Sequence, residues 1–296
     1  MPGEMPGEMP GDGMHIAVQW RELALRHGER SAIADDRGTL SFRQLHSRIV
    51  KAGNALLGLG LAKGDRVALL IPDIREYLEA DYGIMAAGLV RVPLDPRLTR
   101  EETVALLRFS GARALIGHSS FADKLAGLSS DAASLEHIIL IGAGRGLDYE
   151  MLLDRACEQP LPDGQGDDLA SLNFSGGTTG APKAAALSHR NLVTVARNTV
   201  GGFCIGSDCT FLNVRPLWPI AQVILMSHMF AGARVVLSRF DPAHLTESIA
   251  RTGATRTSLV PTQLVRWLDH LAPGERRPSR AARVPLTTPL CRARAR

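Results

Sequence analysis

The sequence predicts an α/β protein with mostly parallel sheets and covering helices, on three observations. From residue 15 onward, segments with a helical apolar period alternate with short β-rich runs, the order that builds a parallel sheet between helices. At 296 residues and 45% hydrophobic content, the chain is long enough for one large or two modest domains with proper cores. The longest apolar stretch, Ile220 to Leu237, is interrupted by Gln222, Ser227, His228 and Arg234. It therefore reads as a buried helix followed by a strand, with no transmembrane segment, because a bilayer span needs roughly 20 clean apolar residues.

In chain order, residues 1–14 repeat Met-Pro-Gly-Glu twice and then Met-Pro-Gly, and are expected to be a flexible leader because they hold too little apolar surface to offset their ordering entropy. Phe42, Leu45, Ile49, Ala52 and Leu56 lie at helical spacing. Gly64-Asp65 turns the chain into a strand at 67–71, followed by a helix at 76–87 and a strand at 90–94. The alternation continues through helix 100–109, strand 113–117, helix 119–127 and strand 137–142. The Pro-, Gly- and Asp-rich run 157–168 breaks the series and is expected to be a subdomain seam. Beyond it come strand 169–174, helix 189–200, strand 210–214, helix 220–231, strand 234–238, helix 242–252, strand 255–260 and helix 261–271.

Residues 273–296 change character. Arg276, Arg277, Arg280, Arg283, Arg292, Arg294 and Arg296 face the single Glu275, so this tail carries +6 where the whole chain carries +4, leaving −2 for the first 272 residues. The basic character thus belongs to the tail and not to a folded face, which argues against nucleic acid as a partner. With four lysines against thirty arginines in the chain, the Arg/Ala/Pro text of the tail is expected to be a frameshift product of GC-rich DNA. Cys157, Cys204, Cys209 and Cys291 match no zinc or redox spacing, and no signal peptide precedes them, so a reducing cytoplasm is expected.

The chemically informative segment is Leu172 to His189. A hydrophobic strand runs into Ser175-Gly176-Gly177-Thr178-Thr179-Gly180, then Ala181-Pro182-Lys183. Glycines allow several N–H groups to turn toward one point, the hydroxyls of Ser175, Thr178 and Thr179 add donors, and Lys183 adds a positive charge. That is a cradle for a polyphosphate. It is not a Walker A loop, which needs Gly-Lys adjacent and Ser/Thr next; here Lys183 is separated from Gly180 and followed by Ala184.

This segment resembles the phosphate-binding signature of the adenylate-forming (AMP-binding) superfamily of acyl-CoA synthetases, peptide-synthetase adenylation domains and luciferases. Gly64-Asp65-Arg66-Val67-Ala68 leading to Ile71-Pro72, Ala87-Gly88 followed by Val92-Pro93-Leu94-Asp95-Pro96, Ser110-Gly111-Ala112-Arg113 and Val260-Pro261-Thr262 resemble other segments of that family in order and spacing. The resemblance identifies 15–272 as a partial N-terminal AMP-binding domain, of the fatty-acid–CoA ligase type, and 273–296 as a non-family tail. It implies two half-reactions. A carboxylate attacks the α-phosphate of Mg-ATP to give an acyl-adenylate and pyrophosphate, and coenzyme A then displaces AMP. Ser175, Gly176, Gly177, Thr178, Thr179, Gly180 and Lys183 would hold the β- and γ-phosphates. ATP, Mg2+ and CoA are the implied cofactors, with a fatty or aromatic acid as substrate.

The sequence also departs from the family. Gly176 stands where relatives have Ser, and Ala184 where they have Gly. Pro219 stands where relatives place a histidine or aromatic beside the acid, so Trp218 and Pro219 are the candidate acid-facing residues, with plain core an equal alternative for Trp218. No Tyr-Gly-x-Thr-Glu segment, no Thr-Gly-Asp segment, no hinge and no domain with a catalytic lysine follows, so the chain is expected to be a truncated and impaired ligase. An acyl-AMP ligase, a peptide-synthetase adenylation domain, a non-catalytic nucleotide-binding module and a degenerate fragment are the alternatives. Gly142 to Gly146 reads as a solvated turn, because Leu147 fills the third glycine position of a dinucleotide loop. Ser188 reads as a helix N-cap and His189 as a first-turn residue with no catalytic part. His228 reads as a hydrogen-bonded interior histidine, and Asp73 and Asp95 as turn formers.

Overall fold

The computed structural model describes residues 13–175, 183–218 and 222–271. In chain order these form α1 (Ile16–His27), β1 (Ser31–Asp35), β2 (Gly38–Ser41), α2 (Phe42–Gly58), β3 (Arg66–Leu70), α3 (Arg75–Ala86), β4 (Val90–Pro93), α4 (Arg100–Ser110), β5 (Ala114–His118), α5 (Ala122–Leu125), α6 (Leu128–Asp131), β6 (His137–Ile141), β7 (Leu147–Asp148) and α7 (Tyr149–Arg155). They continue as β8 (Leu169–Ser175), β9 (Lys183–Ser188), α8 (His189–Gly202), β10 (Thr210–Asn213), α9 (Gln222–Phe230), β11 (Arg234–Leu237), α10 (Leu245–Thr252), β12 (Arg256–Thr257) and α11 (Pro261–His270).

Two sheets result. A seven-stranded sheet has the order β7-β6-β5-β3-β4-β8-β9, and a five-stranded sheet the order β12-β10-β11-β1-β2. Each is parallel except for one antiparallel edge strand: β9 pairs with β8, and β2 with β1. The segment 157–168 connects two parts of the same seven-stranded sheet, since β8 pairs with β4 through Arg91 and Ser171. It lies against α2, where the Asn54 amide donates to the carbonyls of Cys157 and Gln159.

Alternate residues of each strand enter different layers, as the pleat requires. Val67 and Leu69 of β3 join Ile33, Phe211 and Val235 of the other sheet in one cluster that also takes in Leu45, Leu78 and Val193 of the helices between the sheets. Ala68 and Leu70 face the opposite way, onto Leu107 of α4 and Leu128 of α6. Leu212 and Val236 pack outward onto Leu245 and the half-buried Trp267. The layering is therefore helix, sheet, helix, sheet, helix.

Local signals set the element ends. Ser41, Thr99 and Ser188 each cap a helix and are answered by the residue three positions on, Gln44, Glu102 and Asn191. Helices α2 and α3 cross where glycine faces glycine: a Cβ on Gly83 would come within 2.8 Å of the Ala52 Cβ and 3.0 Å of the Ile49 carbonyl oxygen. The expected helix 119–127 is instead a 3-10 turn at Ser119–Phe121 followed by the two short helices α5 and α6. Gly127, at φ 72°, breaks it. Strand β9 is also additional to the sequence reading. Among the described residues, no helix is long and apolar enough to cross a membrane.

Candidate nucleotide and acid site

Ligands of parallel α/β sheets bind beyond the carboxyl ends of the strands. Here the ends of β3, β4, β8 and β10 deliver the segments that the sequence singles out. The phosphate segment is the tip of a hairpin: β8 and β9 pair from Leu169 and Ser188 up to a final register pair of Ser175 with Lys183. Backbones of such a pair stand about 5 Å apart. The strands thus deliver two members of the predicted cradle, Ser175 and the exposed Lys183, to one place. Gly176, Gly177, Thr178, Thr179 and Gly180 lie outside the described residues, as does Pro219.

The foot of the hairpin is tied to the rest of the domain. The Ser188 side chain accepts the Asn191 N–H and caps α8, as the sequence predicts. His189 is fully buried, with Nδ1 accepting the Ile16 N–H at 3.4 Å and its ring 3.8 Å from that of His15. Burial, and then the charge of His15, push the His189 imidazole down to about 3, so it is neutral at pH 7 and ties α8 to α1. Beside it, Lys63 pairs with Asp168 at 2.7 Å, just before β8 begins.

Trp218 lies after β10 and is half-buried, while its neighbour Leu217 is fully buried. The Arg97 guanidinium, from the loop after β4, stands 5.4 Å from the Trp218 ring centroid. Asp95 is the turn former expected of it: Oδ1 accepts the Arg97 N–H at 2.9 Å. Burial pushes its carboxyl up, but the bonds and charge of Arg97 outweigh that and hold it below the usual range. Asp73 does more than form a turn, because its Oδ1 accepts the N–H of Leu217, across the seam between the sheets, at 2.6 Å. Nothing in a Pro-Asp dipeptide signals a partner so distant in sequence.

A cavity of about 130 Å³ opens nearby, with Phe203, Ile205, Phe211 and Ile224 as its apolar lining and Arg256 and Ser258 among its polar groups. Ser258 also accepts from Arg215, the residue that leads into the Trp218 turn, at 3.0 Å. His228 lines the same cavity as the interior histidine the sequence predicts, bonded to the Ile224 carbonyl at 2.8 Å and stacked on Phe211. Arg256 escaped the sequence reading; its Nε donates to Cys209 Sγ at 3.3 Å, and it lies in a two-residue strand that carries no motif.

A family model described as AMP-binding enzyme matches residues 20–289. The chain belongs to this family. It is 28% identical over 268 residues to the crotonobetaine/carnitine–CoA ligase of Escherichia coli O1:K1, covering 85% of this chain and 52% of the relative. It is 32% identical over 244 residues to a feruloyl-CoA synthase from an Amycolatopsis species, covering 81% and 45%. Its fold matches a long-chain-fatty-acid–CoA ligase from Archaeoglobus fulgidus with a TM-score of 0.81 at 20% identity, covering 90% of this chain and 56% of that one. The chain spans about half the length of the curated relatives it matches.

Proposed function

We propose that the chain carries the phosphate-holding and acid-facing part of an ATP-dependent carboxylic acid–CoA ligase, which forms an acyl-adenylate and then a thioester. The hairpin carries this reading: it sets Ser175 against Lys183 at the carboxyl end of a parallel sheet, with a glycine- and hydroxyl-rich link between them. In the first half-reaction an acid oxygen attacks the α-phosphorus and the bond to pyrophosphate breaks. Charge growing on that leaving group would be met by N–H groups of the 175–180 run, the hydroxyls of Ser175, Thr178 and Thr179, and the Lys183 ammonium. This help is electrostatic and asks no proton of His189.

Trp218 and Pro219 would border the acid, fatty or aromatic as the sequence leads one to expect, and the name of the feruloyl-CoA synthase supports the aromatic class. Magnesium would enter bound to the phosphates of ATP. The thiol of CoA or of a carrier protein would release AMP. The thiols of Cys157 and Cys209, free of disulfides, suit a reducing, cytoplasmic setting.

Titration calorimetry with Mg-ATP and with pyrophosphate tests the cradle. Wild type is expected to bind both, and Lys183→Ala, folded by circular dichroism, to lose at least about ten-fold in affinity, or 1.4 kcal/mol. No binding by folded wild type sinks the reading. A second reading, a nucleotide-binding module that makes no adenylate, is favoured by Pro219, which stands where relatives place a histidine or aromatic beside the acid. ATP–pyrophosphate exchange with benzoate, cinnamate and decanoate separates the two: exchange supports the ligase, and binding without exchange supports the module.

A further inference from the structure

The turn that carries Trp218 is held from two directions. Its own sheet fixes the residues before it. The Asn213 amide donates to the Arg215 carbonyl at 2.8 Å, Arg215 donates to the Ser258 hydroxyl at 3.0 Å, and the Gln263 amide donates to the Val214 carbonyl at 3.0 Å. From Leu217 on, two side chains of the other sheet take over.

Asp73 lies between β3 and α3, and its carboxylate receives the Leu217 N–H at 2.6 Å from a residue 144 positions away in sequence. The bond is charge-assisted and part-buried, which makes it stronger than a bond to a neutral acceptor. Arg97 approaches the Trp218 ring within cation–π range. Arg97, 79% exposed, is itself tied to its own loop, its Nε and a terminal nitrogen donating to the two Asp95 oxygens at 3.0 and 2.9 Å. The Lys124 ammonium clamps that loop in turn by donating to the carbonyls of Pro96 and Leu98. One contact holds the backbone just before the indole, and the other lies over its ring.

We propose that Asp73 and Arg97 are positioning residues, which fix the Trp218 ring as a rigid wall of the acid site and so set its preference for the body of the acid. This rests on the reading above that the acid lies beside Trp218. A ring held on one face by a guanidinium presents a surface of fixed tilt, so a flat aryl acid gains more from the wall than a flexible alkyl acid, which can adapt to a loose one.

The chain is labelled with 5-fluorotryptophan, giving fluorine resonances for Trp20, Trp218 and Trp267, with the second assigned by Trp218→Phe. Asp73→Ala, Asp73→Asn, Arg97→Ala and Arg97→Lys, each checked for folding by circular dichroism, are titrated with cinnamate and with decanoate in the presence of Mg-ATP. Asp73→Ala and Arg97→Ala are expected to move and broaden the Trp218 resonance alone, and to weaken cinnamate about five-fold with decanoate changed less than two-fold. Asp73→Asn, which keeps an oxygen acceptor, is expected to restore both signal and affinity. A Trp218 resonance unmoved by either alanine overturns the proposal, as does a moved resonance with cinnamate binding intact. If wild type binds neither acid, the acid-site reading fails and takes the wall with it. A Trp218 resonance that still responds then shows the two contacts to be structural only.

Discussion

Helix α3 and helix α11 stand at opposite extremes of the same fold. From Glu76 to Ala86 every residue of α3 is buried, charged ones included, whereas α11 buries none of its residues. The charges of α3 survive burial because each meets an arginine: Arg37 reaches Glu76 at 2.6 Å, Arg48 reaches Glu79 at 2.7 Å, and Arg91 reaches Asp81 at 2.5 Å. Among the described residues, helix α11 is held by the packing of half-buried Trp267 on Leu212, Val236 and Leu245, by the Trp267 N–H on the Thr246 hydroxyl and by the Gln263 amide on the Val214 carbonyl. The comparison teaches that cohesion is concentrated between the sheets, around α2 and α3, and declines toward the outer face of the five-stranded sheet. Both candidate ligand segments hang on the cohesive part, one through β8 and one through Asp73.

The strongest way to break this contrast is to unpair the charge inside it. Arg91→Met leaves the Asp81 carboxylate buried without its partner, both side chains being at most 1% exposed in the native pair. Breaking such a pair costs about 3–5 kcal/mol, more than replacing both partners by apolar groups. Urea unfolding is expected to show that loss for Arg91→Met and a smaller one for Arg91→Met combined with Asp81→Leu. Equal losses would mean that the Arg91 packing matters and its charge does not.

This contrast also marks what the sequence could and could not disclose. Helix α2 was legible because Phe42, Leu45, Ile49, Ala52 and Leu56 form one apolar stripe, and all five are buried. The segment proposed as a phosphate cradle stood out in the sequence, since its residue types are unusual together. Its setting did not: Lys183-Ala184-Ala185-Ala186 has no β preference, and β9 is a strand only because β8 lies beside it. Buried Glu79, Asp81 and Arg91 were invisible for a related reason. Charged residues read as solvated until their partners are placed, and those partners come from α2 and across the β3–β4 region. The reach of Asp73 to Leu217 depends on how two sheets meet, which no local window contains.

A gentler probe is pH, because two buried groups of the inter-sheet layer, Glu79 of α3 and His228 of α9, respond with opposite sign. Burial pushes the Glu79 carboxyl up to about 7 against the opposing pull of Arg48. Burial pushes the His228 imidazole down to about 4, with the Ile224 carbonyl resisting and Arg256 assisting. A group whose folded pKa is raised contributes stability that is present below its unfolded value and lost as pH climbs toward the folded one, here from about 4.5 to 7. A histidine whose folded pKa is lowered contributes stability that is present above 6.5 and lost as pH falls toward about 4. Glu79→Gln is therefore expected to gain on wild type between pH 4.5 and 7, by on the order of 2 kcal/mol. His228→Gln is expected to flatten the acid limb between pH 6.5 and 4. Urea midpoints across that range measure both, and slopes of the same sign would show that one group is not buried as described.

The smallest effect belongs to α11, and its size is what makes it useful. Val265 is 57% exposed and Leu268 39% exposed on a helix whose apolar residues bury little. If these side chains meet water in solution, Val265→Ser and Leu268→Ser each change stability by no more than about 0.5 kcal/mol, as surface substitutions do. Large-to-small changes at a covered apolar site cost about 2 kcal/mol or more. A loss of that size in urea unfolding would mean that the face is covered in solution, by residues beyond those described or by a second copy. Running the same variants at ten-fold different protein concentrations separates these cases, since only cover from another copy makes the loss depend on concentration.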